Sequence, residues 1–159
     1  MVRIIGIDPG YAIVGFGVID HKDNVFRTVE YGAIVTKADQ QFDQRLFTID
    51  RSVTELLLRL RPDSLAIEKL FFNTNQKTAI DVAQARGVIV SAAVRAGIQV
   101  AEYTPLQVKT AVVGYGRAEK RQVQEMTRRL LSLKEIPKPD DTADALAVAI
   151  CHAHHSRKF

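Results

Sequence analysis

Arg3-Ile4-Ile5-Gly6-Ile7-Asp8-Pro9-Gly10 reads as one short buried strand that ends in a carboxylate and turns at once. Pro9 fixes φ and Gly10 tolerates positive φ, so the chain reverses directly after Asp8. Ala12 to Ile19 is apolar with Gly15 and Gly17 interleaved, which predicts a second strand. His21-Lys22-Asp23-Asn24 supplies a hairpin connection, and Val25 to Val35 a third strand. Three successive strands with no helix between them predict an antiparallel meander at the start of a sheet.

Beyond the meander the period changes from two to 3.6. Leu46, Ile49, Val53, Leu56, Leu57 and Leu60 fall on one face of a helix spanning Phe42 to Leu60, stopped by Arg61-Pro62-Asp63. Ser64-Leu65-Ala66-Ile67-Glu68 is a second short apolar strand that ends in an acid. A long helix follows from about Thr78 to Ala96, ended by Gly97, and Ile98 to Tyr103 forms a fifth strand. Thr104-Pro105 caps a further helix, Gly114-Tyr115-Gly116 breaks it, and Ala118 to Leu131 resumes. Pro137-Lys138-Pro139 leads into a last helix from Asp141 to about His154. The order predicts an α/β domain with a mixed five-stranded sheet flanked by helices.

The 159 residues suit one domain over 1–159, with the last few residues a flexible tail. No apolar run approaches the roughly 20 residues of a membrane-spanning helix. Met1 leads straight into the first strand without a basic leader, and the lone Cys151 fits a reducing compartment. A cytoplasmic protein with no membrane association is expected. The net charge is +4, and Lys and Arg dominate the stretch from Lys109 to Lys138. A basic face of that kind suits a nucleic-acid partner.

Four acids stand where apolar patterning would not put them. Asp8 and Glu68 end strands, and the carboxyl ends of strands are where ligands gather in an α/β sheet. Asp141 and Asp144 lie three apart at a helix start and project from one face. Each has a plainer explanation alone: turn chemistry at Asp8, a cap at Asp141, the helix dipole at Asp144, a solvated strand end at Glu68. Asp140 lies four before Asp144, so spacing leaves Asp140 and Asp141 open. Together, four carboxylates in a small site raise one another's pKa unless a cation separates them. Hard Mg²⁺ or Mn²⁺ takes oxygen ligands, and a pair of such ions serves phosphodiester hydrolysis. His152, His154 and His155 read as a solvated C-terminal tail in preference to a zinc site.

Ile5-Gly6-Ile7-Asp8-Pro9-Gly10, Ala66-Ile67-Glu68, Gln84-Ala85-Arg86-Gly87 and Asp141-Thr142-Ala143-Asp144-Ala145-Leu146-Ala147 occur in this order along nearly the whole chain. Together they resemble RuvC, the bacterial crossover-junction endonuclease family. The resemblance implies a ribonuclease-H-like fold and a homodimer that resolves four-way (Holliday) junction DNA by paired nicks in two opposed strands, in recombination and repair. It implies that Asp8, Glu68, Asp141 and Asp144 are the catalytic, metal-binding acids, and so selects Asp141 over Asp140. It implies two Mg²⁺ ions per site, with Mn²⁺ as a substitute, and a branch-migration complex of RuvA and RuvB as partner.

Lys109 and Lys120 match the family in context, and the resemblance places both near the site in DNA binding and cleavage. An ammonium there can hold a phosphate or offset transition-state charge. By the same resemblance Phe71 is the ring expected to stack on an unpaired base; Phe72, beside it, is the other candidate. Lys77, Arg86 and Arg117 complete the expected DNA-binding set. Ala79, Ala83, Gly87, Ala92 and Ala93 give the second long helix small residues that suit either a dimer interface or packing on its own sheet. Thr142 and Lys69 read as tolerated variation. Two other readings compete. A sugar-kinase or actin-like ATPase fragment would need a phosphate-binding hairpin and a repeated domain, for which the chain is too short. A non-catalytic junction-binding protein would have no use for carboxylates that repel phosphate.

Overall fold

The computed structural model describes residues 1–71 and 76–156. Phe72, the polar run from Asn73 to Asn75, and the expected tail over 157–159 lie outside the described residues. Strands β1 (Val2–Asp8), β2 (Ile13–Lys22), β3 (Val25–Val35), β4 (Ser64–Glu68) and β5 (Gln99–Tyr103) form one sheet in the order β3-β2-β1-β4-β5. β1–β2–β3 is the expected antiparallel meander, and β4 and β5 add parallel to β1. The helices are α1 (Phe42–Leu60), α2 (Gln76–Arg95), α3 (Pro105–Val113), α4 (Lys120–Leu130) and α5 (Asp140–His155).

The hairpin between β2 and β3 is tighter than expected. β2 continues through Lys22, and only Asp23 and Asn24 turn, with φ of 49° and 66°. Two residues of positive φ match the right-handed twist of the flanking strands, which is why Asp and Asn serve here. α4 also begins later than the expected Ala118, because Gln122 Oε1 accepts from the Glu119 backbone N–H (2.7 Å) and closes the helix start there.

Alternation sorts the sheet residues into two faces. Ile5, Ile7, Val14, Phe16, Val18, Leu65 and Ile67 pack with Ile49, Val53, Leu57 and Ile89 under α1 and α2. The opposite face holds Ile4, Ile19, Ala66 and Tyr103 beneath α3, α4 and α5. Gly6, Gly15 and Gly17 belong to that second face, with Gly6 opposite Gly17 and Asp8 opposite Gly15. A Cβ on Gly6 would fall within 3.0 Å of the Ala145 carbonyl and the Ala149 amide, and one on Gly15 would fall on the Asp141 carbonyl. The glycines form a track that lets the Ala-rich α5 lie against the backbone of the sheet.

At the edge of the core, Arg3 ties three elements together. Its Nε and Nη2 donate to Asp20 Oδ1 and Oδ2 (2.7 and 2.9 Å), and Nη1 donates to the Leu60 carbonyl (3.0 Å). The Arg3 guanidinium holds buried Asp20 below the usual carboxylate range. The three histidines are not a solvated tail. Tyr103 Oη lies 2.7 Å from His152 Nδ1, His154 Nδ1 is 3.0 Å from the Ala111 carbonyl, and His155 Nδ1 is 2.8 Å from the Cys151 carbonyl. Buried Cys151 and Ala153 between them hold the last turn of α5 in the core, which keeps the flanking rings on α3 and β5. On α2, Ala79, Ala92 and Ala93 are buried, whereas Ala83 and Gly87 are exposed. The small residues therefore divide between the domain core and the outer face.

Candidate active site

Asp8 and Glu68 leave the sheet side by side because β1 and β4 are hydrogen-bonded neighbours, with Ile7 opposite Ile67 one residue earlier. Both project on the face that carries α5. The Gly15 position opposite Asp8 has no side chain, and the first turn of α5 settles into that gap. Thr142, fully buried, donates from Oγ1 to the Gly32 carbonyl on β3 (3.2 Å) and pins the same turn across the meander. Thr142 is thus a positioning residue, which the reading of it as tolerated variation missed. Its signal in sequence is weak, a single polar residue on the inward side of an apolar helix.

This packing separates the two neighbouring aspartates. The Asp141 side chain hydrogen-bonds with Asp8, while Asp140 points outward, 62% exposed, toward Lys120. Burial pushes the Asp8 carboxyl up to about 9, and the charges of Asp144, Glu68 and Asp141 push it the same way. Glu68 is raised by burial and by Asp144, with Lys120 and Lys109 pulling it back. Burial also raises Asp144, opposed by Lys120 and reinforced by Asp141 and Asp140. Asp8 thus feels the other three acids, and Asp144 acts on Glu68.

Lys109 and Lys120 line a cleft of about 250 Å³ with Glu68, Pro105, Val108 and Asp144. α3 delivers Lys109 through the capping box of Thr104 and Gln107, whose side chains and backbone N–H groups exchange two hydrogen bonds. α4 delivers Lys120 as its first residue, with Nζ 3.3 Å from Asp140 and 3.6 Å from Asp144. An adjoining cleft holds Asp8, Glu68, Val82 and Phe71, whose ring is 47% exposed. Lys77 at the start of α2 and Arg117 in the loop before α4 are exposed. Arg86 turns inward instead. Its side chain is 18% exposed and Nη2 lies 3.1 Å from Glu102 Oε2, although Nε and Nη2 are buried without an aligned hydrogen bond.

The donor set suits a hard divalent cation. It offers carboxylate oxygens alone, and their mutual repulsion is what such a charge relieves. Among the described residues, no three His, Cys, Asp or Glu side chains stand gathered as a finished cation cage. The acids are engaged pairwise, Asp8 with Asp141 and Asp144 with Lys120.

Comparison with known proteins agrees with this geometry. The model of the family described as crossover junction endodeoxyribonuclease RuvC matches residues 4–152. The crossover junction endodeoxyribonuclease RuvC of Brevibacillus brevis is 59% identical over 152 residues, covering 96% of this chain and 92% of its own. That of Caldanaerobacter subterraneus subsp. tengcongensis is 55% identical over 153 residues, covering 96% and 93%. The structure of Thermus thermophilus RuvC in complex with a Holliday junction substrate superposes with a TM-score of 0.94 at 38% identity, covering 99% and 96%. With the motifs, the mixed sheet and the acid cleft all in agreement, the chain belongs to the RuvC family of crossover junction endodeoxyribonucleases.

Proposed function

We propose that this protein resolves Holliday junctions by metal-dependent hydrolytic nicks in two opposed strands. The observation that carries the reading is that Asp8 feels the charges of Glu68, Asp141 and Asp144, while Lys109 and Lys120 line a cleft with Glu68 and Asp144 that adjoins the one holding Asp8. Asp8, Glu68, Asp141 and Asp144 would hold two divalent ions, Mg²⁺ with Mn²⁺ as substitute, and Asp8 feels the other three acids. Bound there, the ions supply Lewis-acid charge for in-line attack of water on phosphorus and departure of the 3′ oxygen.

The rest falls to the chain's own residues. Lys109 and Lys120 hold the phosphodiester over the acids and offset charge that grows in the transition state. Exposed Phe71, next to Asp8 and Glu68, stacks on a base left unpaired at the crossover, a contact of roughly 1–3 kcal/mol. Lys77 and Arg117 extend the phosphate contacts. Arg86 acts from beneath, bracing α2 on β5 through Glu102.

Two nicks need two sites, and the outer face of α2 supports a homodimer. Ile80, Gln84, Gly87, Ser91 and Val94 are exposed at helical spacing, and Phe47 of α1 stands beside them. Among the described residues no helix is long and apolar enough to cross a membrane. Family membership is what supports a cytoplasmic place beside the RuvA and RuvB branch-migration proteins.

The test is cleavage of an end-labelled four-way junction with an immobile core, beside matched linear duplex, in Mg²⁺, Mn²⁺ or EDTA. Wild-type protein should make symmetric, metal-dependent nicks in the junction alone, and Asp141→Asn should abolish them. Tight junction binding without nicks under either metal would overturn the nuclease reading. Equal cutting of linear duplex would overturn the junction specificity.

A further inference from the structure

Lys120 stands between two carboxylates of different character. Asp144 is 31% exposed and belongs to the acid cluster, whereas Asp140, one turn earlier on α5, is 62% exposed and faces outward. Nζ lies nearer to the outer acid, 3.3 Å against 3.6 Å. An ammonium in contact with Asp144 opposes a divalent cation there, because both are drawn to the same oxygens and repel each other. A second acid four residues before Asp144 lies on the same side of the helix and can take the ammonium as the cation arrives.

We propose that Asp140 is a positioning residue that draws Lys120 off Asp144, making room for the divalent cation while keeping the ammonium at the mouth of the cleft. The inference rests on the reading of the acids as the metal site. Without Asp140, Lys120 would fall wholly onto Asp144 and compete with the cation at full strength. Asp140 would then influence metal affinity through Lys120, and would have no such influence once the ammonium is gone. A simple long-range attraction between Asp140 and the cation predicts the opposite, an effect that persists whatever occupies position 120.

A double-mutant cycle separates the two. Mn²⁺ binding would be measured without DNA, by the loss of the free-ion paramagnetic resonance signal, on wild type, Asp140→Ala, Lys120→Met and the double variant. Asp140→Ala should weaken Mn²⁺ roughly three- to fivefold, the range of an exposed ion pair. Asp140→Glu should restore most of the affinity. In the Lys120→Met background, Asp140→Ala should change affinity by less than about 1.5-fold if the two residues act as one unit. An equal loss in both backgrounds would overturn the inference while leaving the metal site intact. Failure of the wild type to bind Mn²⁺ would overturn the metal-site reading itself, and the inference with it.

Discussion

Replacing Asp8 with asparagine should make the metal-free protein more stable while destroying its activity. The Asp8 carboxyl is pushed up to about 9 by burial and by Asp144, Glu68 and Asp141. A group whose pKa is higher in the fold than in the unfolded chain binds its proton more tightly when folded. Its favourable contribution is complete below about pH 4 and is lost as pH rises toward 9. At pH 7 an acid ionised in the unfolded chain and protonated in the fold costs about 4 kcal/mol. Water entry and side-chain relaxation lower the realised cost, so the asparagine variant should gain about 1–3 kcal/mol.

Urea denaturation in EDTA from pH 4.5 to 8.5 measures this directly, and thermal midpoints should rise by roughly 3–10 °C at pH 7. The gap should narrow toward pH 4.5, which lies only about half a unit above the unfolded pKa, so the cost there falls to about 1 kcal/mol. Mg²⁺ should then stabilise the wild type more than the variant, since a ligand stabilises only the form that binds it. If Asp8→Asn is no more stable than wild type at pH 8, or the gap is as wide at pH 4.5, the claim of crowded charge at Asp8 is wrong.

Gly15→Ala places a methyl on the Asp141 carbonyl, which is backbone and cannot swing aside. It should destabilise by about 1–3 kcal/mol and slow junction nicking beyond what unfolding explains, measured at a temperature where circular dichroism shows the variant folded. Asp20→Asn breaks the paired hydrogen bonds from Arg3 and should cost about 2 kcal/mol at pH 7. Because the fold lowers the Asp20 pKa, that contribution is present above about pH 4 and disappears as pH falls through the folded value. Urea midpoints of wild type and variant should therefore converge in acid.

The local features were the legible ones. α1 spans Phe42–Leu60 as its apolar period predicts, because Ile49, Val53, Leu56, Leu57 and Leu60 all need one buried face. Asp8 and Glu68 stand out in sequence because each breaks an apolar strand at its carboxyl end, and the neighbouring strands bring them together as expected. What stayed hidden depends on contacts between distant segments. Gly6, Gly15 and Gly17 read locally as ordinary strand residues, and only α5, more than a hundred residues later, makes their missing side chains necessary. The histidines failed as a tail for the same reason: position near the C-terminus says nothing of Tyr103, 49 residues earlier, waiting opposite His152.

The glycine track and the acid cluster are two sides of one arrangement. Carboxylates that repel one another would move apart on loops, and the energy driving them apart is several kcal/mol when the site is buried. Here they cannot. Asp8 and Glu68 are held by hydrogen-bonded neighbouring strands, and Asp141 and Asp144 by a helix seated on bare backbone. Thr142 locks that helix across the meander, and buried Ala145, Leu146 and Ala149 keep it from lifting. Close packing at Gly6 and Gly15 thus does for the acids what no local sequence could: it makes separation cost more than repulsion returns. A larger residue at either glycine would relieve the charge and lose the site in the same movement. The part of the fold with least tolerance for added atoms is therefore the part that holds the charges together.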